Sequence, residues 1–199
     1  MQTMTCAPRT LARGLVSRLR SLARDQRGAA AVEFAMVLPL MVTLYLGGVE
    51  VSQGFSIDRK LAMTTHAVAD LVAQKRDGGS AGNIISGAEM TDIMNAAKAV
   101  ISPYPSKDLK LVVSSVVVDE QNVAKVAWSC QLNGTARSKG ETVTLPPAMQ
   151  VAKTSVIWAE GSYAYTPTVG YVVTGTVNLK DQIYMRPRVH DTIALSSCS

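Results

Sequence analysis

The sequence predicts an α+β fold in which one long N-terminal helix, first membrane-spanning and then amphipathic, packs on a small antiparallel β-sheet. Three observations predict it: an apolar segment near the N-terminus, helical spacing of apolar residues after that segment, and stretches rich in β-branched residues in the second half of the chain. Their order predicts four parts: a leader over 1–28, a membrane-spanning helix over 29–49, its amphipathic continuation over 50–76, and a globular domain over 84–199.

The apolar segment runs from Ala29 to Val49 and contains one formal charge, the carboxylate of Glu33. A helix of this length rises about 1.5 Å per residue and would therefore extend over roughly 30 Å, the thickness of the hydrocarbon core of a bilayer. A buried helix of a globular protein is the alternative, but such helices are more often shorter and amphipathic. The segment thus favours insertion into a membrane.

Positive charge is concentrated ahead of this segment. Six arginines and one acidic residue, Asp25, precede Gly28, whereas residues 28–199 contain fourteen basic and fourteen acidic side chains. Arginines next to a span are retained in the cytoplasm, so residues 1–28 are expected there and the C-terminal domain on the opposite side. Because residues 28–199 are formally neutral, they offer no basic stripe for phosphates, and no nucleic-acid partner is expected.

The three cysteines are divided between the two sides of the predicted span. Cys6 lies in the leader, whereas Cys130 and Cys198 follow the span and would lie in an oxidising compartment. A disulfide between them would close a loop of about 70 residues, a constraint worth about 4 kcal/mol in the chain-entropy model. Two free, buried thiols are the alternative, because the sequence does not give the distance between the Cα atoms.

Helical spacing of apolar residues continues after the span, so the helix is expected to leave the membrane and become amphipathic. One helix over 29–76 is predicted, with a bend at Pro39 and a glycine-containing loop at 77–83 that ends it. The apolar positions of its second half are Ile57, Leu61, Val68, Leu71 and Val72.

The rest of the chain predicts a second helix and four strands. Apolar residues recur at helical intervals over 86–100, and Pro103 and Pro105 end that helix. Residues 133–144 are polar and turn-like, and Pro146-Pro147 opens a short loop or helical turn. The predicted strands cover 109–118 and 123–132, which form a hairpin, then 154–165 and 182–186.

The leader and the span do not have the layout of an ordinary secretory signal peptide. Such a signal has a short basic region, an apolar run of about 7–15 residues and a small-residue cleavage site after that run. Here the basic region extends to Gly28, and Gly47-Gly48-Val49-Glu50 makes a poor cleavage site. Any cleavage is therefore expected ahead of the apolar segment.

Arg27-Gly28, followed by Ala-Ala-Ala-Val-Glu-Phe-Ala-Met-Val-Leu-Pro-Leu, resembles the N-terminal segment of TadE-like proteins, which are pseudopilins of the tight adherence (Tad/Flp) pilus system. The resemblance is specific over this segment and looser beyond Gly54. It implies a pilin-like fold and cleavage after Gly28 by a prepilin peptidase, an aspartic protease of the inner membrane. Ala29 would then be the new N-terminus.

The same resemblance implies a role for Glu33, which would be fifth in the mature chain, with Phe34 and Pro39 also matching the family's pattern. A charge inside a span costs on the order of 3 kcal/mol at the bilayer centre, so Glu33 is expected to have a partner. The α-ammonium group of Ala29 is one helical turn away, and the same group of a neighbouring subunit would set axial register, as in pilins. The alternative is that Glu33 extends toward the cytoplasmic headgroups.

Two further features of the span have two interpretations each. Pro39 lacks an N–H group and is predicted to kink the helix, although an inert membrane proline is equally compatible with the sequence. Gly47 and Gly48 either allow close approach of another helix or mark a flexible exit from the bilayer.

The sequence contains no catalytic or metal-binding constellation. His66 and His190 are isolated, and Asp58 and Asp70 would lie about 18 Å apart along a helix, too far to share a proton or a metal. Neither enzymatic activity nor a cofactor is therefore expected.

The leading interpretation is a minor pilin, processed by a prepilin peptidase and used to assemble a Tad/Flp-type pilus for surface adhesion. Its implied partners are the inner membrane, the prepilin peptidase, other Tad pilins and pseudopilins, and the Tad inner-membrane assembly platform. It would be a single-pass inner-membrane protein with a cytoplasmic N-terminus and a periplasmic domain, and it could enter an extracellular pilus. The alternatives are a membrane-anchored periplasmic binding or adhesin module that does not polymerise, and a membrane-tethered enzyme.

Overall fold

The computed structural model describes residues 27–75, 83–167 and 175–198. It contains a long N-terminal helix and an antiparallel β-sheet, which confirms the predicted α+β fold class. The chain divides into two compact units at Gly48, and the sheet lies entirely in the second. The predicted loop at 77–83 and all but the end of the predicted leader fall outside the described residues.

Helix α1 (Arg27–Ala73) is 47 residues long and includes Pro39. In the second unit its buried positions recur at helical spacing, while Asp58 and Arg59 on the opposite side are exposed. The helix ends three residues before the predicted limit, where the backbone N–H of Arg188 donates to the Ala73 carbonyl at 3.0 Å. A tertiary contact thus satisfies one of the carbonyl groups that every helix end leaves without an internal partner.

Helix α2 (Gly87–Ile101) lies within one residue of its predicted bounds. Ser86 and Glu89 form a complete capping box: the Ser86 hydroxyl accepts from the Glu89 N–H, and the Glu89 carboxylate accepts from the Ser86 N–H. Ser102 and Pro103 follow the helix. Its buried face consists of Met90, Met94, Ala97 and Ile101.

The main sheet has five antiparallel strands in the order β4-β3-β2-β5-β6. The predicted hairpin is present, with Val113 opposite Cys130 in its register. The last long strand begins five residues before the predicted limit, because residues 177–181 pair with residues 161–165 of the neighbouring strand. The strands are β2 (Leu109–Val118), β3 (Ala124–Leu132), β4 (Thr142–Val143), β5 (Ser155–Tyr165) and β6 (Val177–Met185).

Three two-residue strands are absent from the prediction. One is β4, inside the segment predicted as turn-like; the others, β1 (Ile84–Ile85) and β7 (Ala194–Leu195), form a parallel pair. Each is too short to show a periodic pattern, and each exists only because a distant partner satisfies its backbone groups. After Pro146 the chain makes a turn, as predicted, in which the N–H of Met149 donates to the Pro146 carbonyl at 2.8 Å.

Apolar side chains fill both faces of the sheet. On one face, α1 and α2 cover Ile157 and Ala159 of β5; on the other, Val156 and Trp158, which alternate with them, pack with Leu145 from the loop before β5. Helix α1 crosses β5 at Gly161, where a Cβ atom would overlap the Thr65 hydroxyl and lie 3.0 Å from Leu61 Cδ1. A glycine at this position therefore sets how closely the helix packs on the sheet.

Candidate processing and assembly segment

The first part of α1 exposes apolar side chains on all sides. One 18-residue window of this helix has a mean hydropathy of 1.9, and none of it is buried within the chain, so its length and composition suffice to cross a membrane. The most exposed large side chains are Val32, Phe34, Met36, Leu40, Leu44 and Tyr45. A surface of this kind is stable in lipid or against other apolar helices, but not in water.

The residues on either side of the predicted cleavage point, Gly28 and Ala29, are the second and third residues of α1. A Cβ atom at Gly28 would meet no other atom within 4 Å, and both residues are exposed. No other part of the described chain therefore covers the peptide bond between these two residues.

Glu33 is exposed and lies four residues after Ala29 on the same helical face. At about 1.5 Å rise per residue, the backbone N of Ala29 is roughly one turn away from Glu33 along the axis. Phe34 is 66% exposed and is turned by about 100° around the helix from Glu33. An acidic side chain and a large aromatic side chain thus stand next to each other on an apolar helix surface.

The helix continues through Pro39, and the Thr43 hydroxyl donates to the Pro39 carbonyl at 2.8 Å. Since proline has no N–H, the carbonyl of Ala35 loses its usual helical donor. A threonine hydroxyl that donates to the carbonyl four residues earlier often accompanies a helix bend. The bend at Pro39 stays a prediction.

Residues 28–70 match the TadE-like protein family. The resemblance seen in the sequence is thereby confirmed. No curated protein and no solved structure matches the chain at a significant level.

The TadE-like segment includes all of the predicted processing and assembly residues and ends within α1. It begins at Gly28, the residue after which cleavage is predicted, and it includes Glu33. Residues 84–199, which we name the sheet domain, lie outside it. Sequence similarity therefore supports a role for the helix, whereas the domain has to be interpreted from its own structure.

Cys130 on β3 and Cys198 near the C-terminus form a disulfide, with their Cα atoms 5.7 Å apart. The bond holds the end of the chain against β3, where the indole N–H of Trp128 also donates to the Ile193 carbonyl at 2.7 Å. Two contacts therefore fix the segment that contains β7 onto β3 of the main sheet.

One buried acidic residue was not among the predicted site residues. Glu50 is 3% exposed, and neither of its carboxylate oxygens has a hydrogen-bond partner in the described part of the chain. The Tyr165 hydroxyl donates to the Glu50 backbone carbonyl at 3.2 Å. Burial raises the pKa of Tyr165, and the nearby Glu50 carboxylate raises it further. The only signal in the sequence is an acidic residue directly after an apolar run.

The isolated histidine and acidic residues of α1 have structural contacts. His66 lies 3.8 Å from Asp181 of β6, and Asp70 forms an ion pair with Arg188. Both contacts join α1 to the last long strand or to the residues that follow it. Among residues 27–75, 83–167 and 175–198, no three His, Cys, Asp or Glu side chains are grouped as metal ligands would be.

Proposed function

We propose that this protein is a minor pilin of a Tad/Flp-type system, inserted into the inner membrane as a precursor, cleaved after Gly28 by a prepilin peptidase and used in pilus assembly for surface adhesion. The observation that supports it most directly is the TadE-like match, which begins at Gly28 and covers the exposed apolar helix. The role is structural rather than enzymatic.

The physical argument for assembly rests on Glu33. Cleavage after Gly28 would create an α-ammonium group at Ala29, one turn from a carboxylate that is exposed on an apolar surface. In lipid, neither charge is stable alone, so each favours an arrangement that pairs them. Pairing between neighbouring subunits would fix their axial register.

The proposed topology follows from the leader. Its arginines keep residues 1–28 in the cytoplasm, residues 29–49 span the inner membrane and the sheet domain lies in the periplasm. The proposed partners are the prepilin peptidase, other Tad pilins and pseudopilins, and the inner-membrane assembly platform. Extraction from the membrane would place the exposed apolar helix against helices of other subunits.

Intact mass and N-terminal sequencing of the membrane-extracted protein test the processing step. In cells with an active prepilin peptidase we expect a chain that begins at Ala29, and in cells without it a chain that keeps the leader. A protein that keeps its leader in both, or that begins after Gly47, would instead be an anchored or secreted binding module.

A substitution tests the assembly step. Glu33→Ala removes the carboxylate but keeps the span apolar, so membrane insertion is expected to stay normal while pilus assembly falls at least tenfold, as measured by counting sheared pili. Glu120→Ala is the matched control, because Glu120 is an exposed acidic residue of the β2–β3 turn, 71% exposed at its side chain. Normal assembly of the Glu33 variant would contradict the proposal.

A further inference from the structure

The sheet domain contains an open cleft of about 790 Å³ whose walls are unusually rich in tyrosine. Its lining includes Tyr104, Tyr163 and Tyr165, half of the six tyrosines in the chain, together with Gln53 of α1. We name this feature the tyrosine cleft. Its volume is in the range of small-molecule sites, about 300–1,000 Å³.

The cleft opens beside the part of α1 where the predicted span ends. Gln53 follows Val49 by four residues, about 6 Å along the helix axis. The polar headgroup layer of a bilayer extends roughly 5–8 Å beyond the hydrocarbon core on each side. If residues 29–49 fill that core, Gln53 lies at headgroup depth, and tyrosine is one of the two residue types enriched there.

The charges of the cleft have both signs. Lys107 and Asp108 are adjacent on the 3₁₀ turn before β2, and both line it. Tyr163 and Tyr165 are 3% and 8% exposed, so their rings form a fixed wall. Glu50, one turn before Gln53, does not line the cleft, although its backbone carbonyl accepts a hydrogen bond from the Tyr165 hydroxyl at 3.2 Å.

The tyrosine rings and the charges of both signs together favour one class of ligand. Aromatic rings and carboxylates attract an ammonium group, while a single lysine attracts a phosphate. A purely anionic headgroup would meet the Asp108 carboxylate, and among the described lining residues only Lys107 would offset that repulsion. A headgroup that has a primary ammonium and a phosphate matches both signs.

We propose that the tyrosine cleft binds the phosphoethanolamine headgroup of a phospholipid in the outer leaflet of the bilayer that α1 crosses. The inference rests on the proposed function in one respect, that the sheet domain lies outside a bilayer spanned by residues 29–49. Binding holds the domain down on the membrane surface until the subunit is extracted into a filament.

The test uses the full-length protein reconstituted in nanodiscs of phosphatidylethanolamine and phosphatidylglycerol. A photoreactive benzoylphenylalanine replaces Tyr104 in one sample and Tyr184 in another, and mass spectrometry identifies the adducts. Tyr184 is a matched control because it is also a partly buried tyrosine but packs on Trp158, on the opposite face of the sheet. We expect phosphatidylethanolamine adducts at position 104, at least fivefold more than at position 184.

Two further variants test whether Asp108 and Lys107 recognise the headgroup. In the background of the photoreactive residue at 104, Asp108→Asn and Lys107→Gln are each expected to lower the phosphatidylethanolamine adduct at least threefold. Four outcomes would each overturn the proposal. They are adducts with protein, no adduct, equal labelling at positions 104 and 184, and labelling of the two lipids in proportion to their content. Saturation-transfer NMR with dissolved phosphoethanolamine is the second measurement, with the signal expected for the unmodified protein and lost in Asp108→Asn.

The lipid-labelling result does not depend on the proposed cleavage by a prepilin peptidase. Reconstitution needs no peptidase, so a missing lipid adduct together with normal cleavage in cells would overturn only the lipid site. A lipid adduct together with a retained leader would overturn only the pilin role.

Discussion

At the scale of single residues, the contact between α1 and β5 depends on a missing side chain. Gly161 faces Thr65 and Leu61, and its Cα lies so close to α1 that any Cβ would overlap the Thr65 hydroxyl. That hydroxyl cannot move away freely, because it donates to the Leu61 carbonyl at 3.0 Å and belongs to a β-branched side chain. Close packing of the helix on the sheet therefore requires glycine at this position.

Gly161→Ala is expected to lower the free energy of unfolding by about 1–3 kcal/mol, the usual cost of overpacking a core. Thr65→Ala in the same chain is expected to restore part of this loss, because it removes the overlapping atom. Denaturant unfolding of the detergent-solubilised full-length protein, followed by tryptophan fluorescence, measures both effects. Ser162→Ala, on the opposite face of β5, is the control and should change the unfolding free energy by less than about 0.5 kcal/mol. Additive effects of the two substitutions would contradict the proposed contact.

At the scale of elements, the start of α2 is joined to the end of α1. Glu89 completes the capping box with Ser86 and also forms an ion pair with Lys75, two residues after the last residue of α1. The hydrogen bond from Lys75, followed by the backbone N–H of Ser86, lowers the pKa of Glu89 in the folded protein. One carboxylate thus stabilises a helix start and a contact between two helices.

Glu89→Gln is expected to reduce stability at pH 7 by about 0.5–1 kcal/mol, the range of one exposed pair and one cap interaction. Because the pKa of Glu89 is lower in the folded state, its ionic contribution is fully present above the pKa of the unfolded chain, about 4.3. It is lost as the pH falls through the lower, folded value. Thermal unfolding from pH 7 to pH 3 should therefore show the difference between the two proteins shrinking with acid. A difference that stays constant would assign the effect to packing.

At the scale of the whole molecule, charge and sulfur chemistry divide the chain in the same way. Residues 1–28 contain the excess of arginine and Cys6, whereas residues 28–199 are formally neutral and their two cysteines are bridged. A cytoplasmic thiol stays reduced, whereas a periplasmic pair is oxidised. The state of the cysteines is therefore a measure of topology.

Alkylation under non-reducing conditions reads that state. We expect the precursor to take up one alkyl group, on Cys6, and to take up three after reduction. The chain that begins at Ala29 should take up none before reduction and two afterwards. Intact mass distinguishes these cases, and the variant Cys130→Ser, which leaves Cys198 unpaired, provides the reference for one extra reactive thiol. Three reactive cysteines in the unreduced precursor would place the domain in a reducing compartment.

The long periodic elements were predictable from the sequence, and the short ones were not. Apolar residues at helical spacing located α1 and α2, and β-branched stretches located β2, β3 and β5 to within one residue. The start of β6 was missed because Asn178, Lys180 and Asp181 give its first half a polar character; pairing with β5 makes it a strand. The two-residue strands β1, β4 and β7 gave no signal at all.

The residues of the candidate site also divide into those with a local sequence signal and those without one. Gly28, Ala29, Glu33, Phe34 and Pro39 could be named from the sequence because the motif is local, contiguous and matched by a family model. Glu50 and the tyrosine cleft could not be, since the lining comes from α1, the 3₁₀ turn and β5, far apart in the chain. Contacts between distant segments leave no local pattern.

The sequence by itself determined the apolar helix, the positive charge of residues 1–28, the position of Glu33 and the identity of the cysteines able to pair. These follow from composition and short-range spacing, which act before any tertiary contact forms. Only the tertiary structure decided that Cys130 and Cys198 come within 5.7 Å, that α1 rests on Gly161, and that three tyrosines line one cleft. The physical reason is that these features arise when the sheet brings together residues that are far apart in the chain. In such a buried contact, each side chain affects how closely the elements pack.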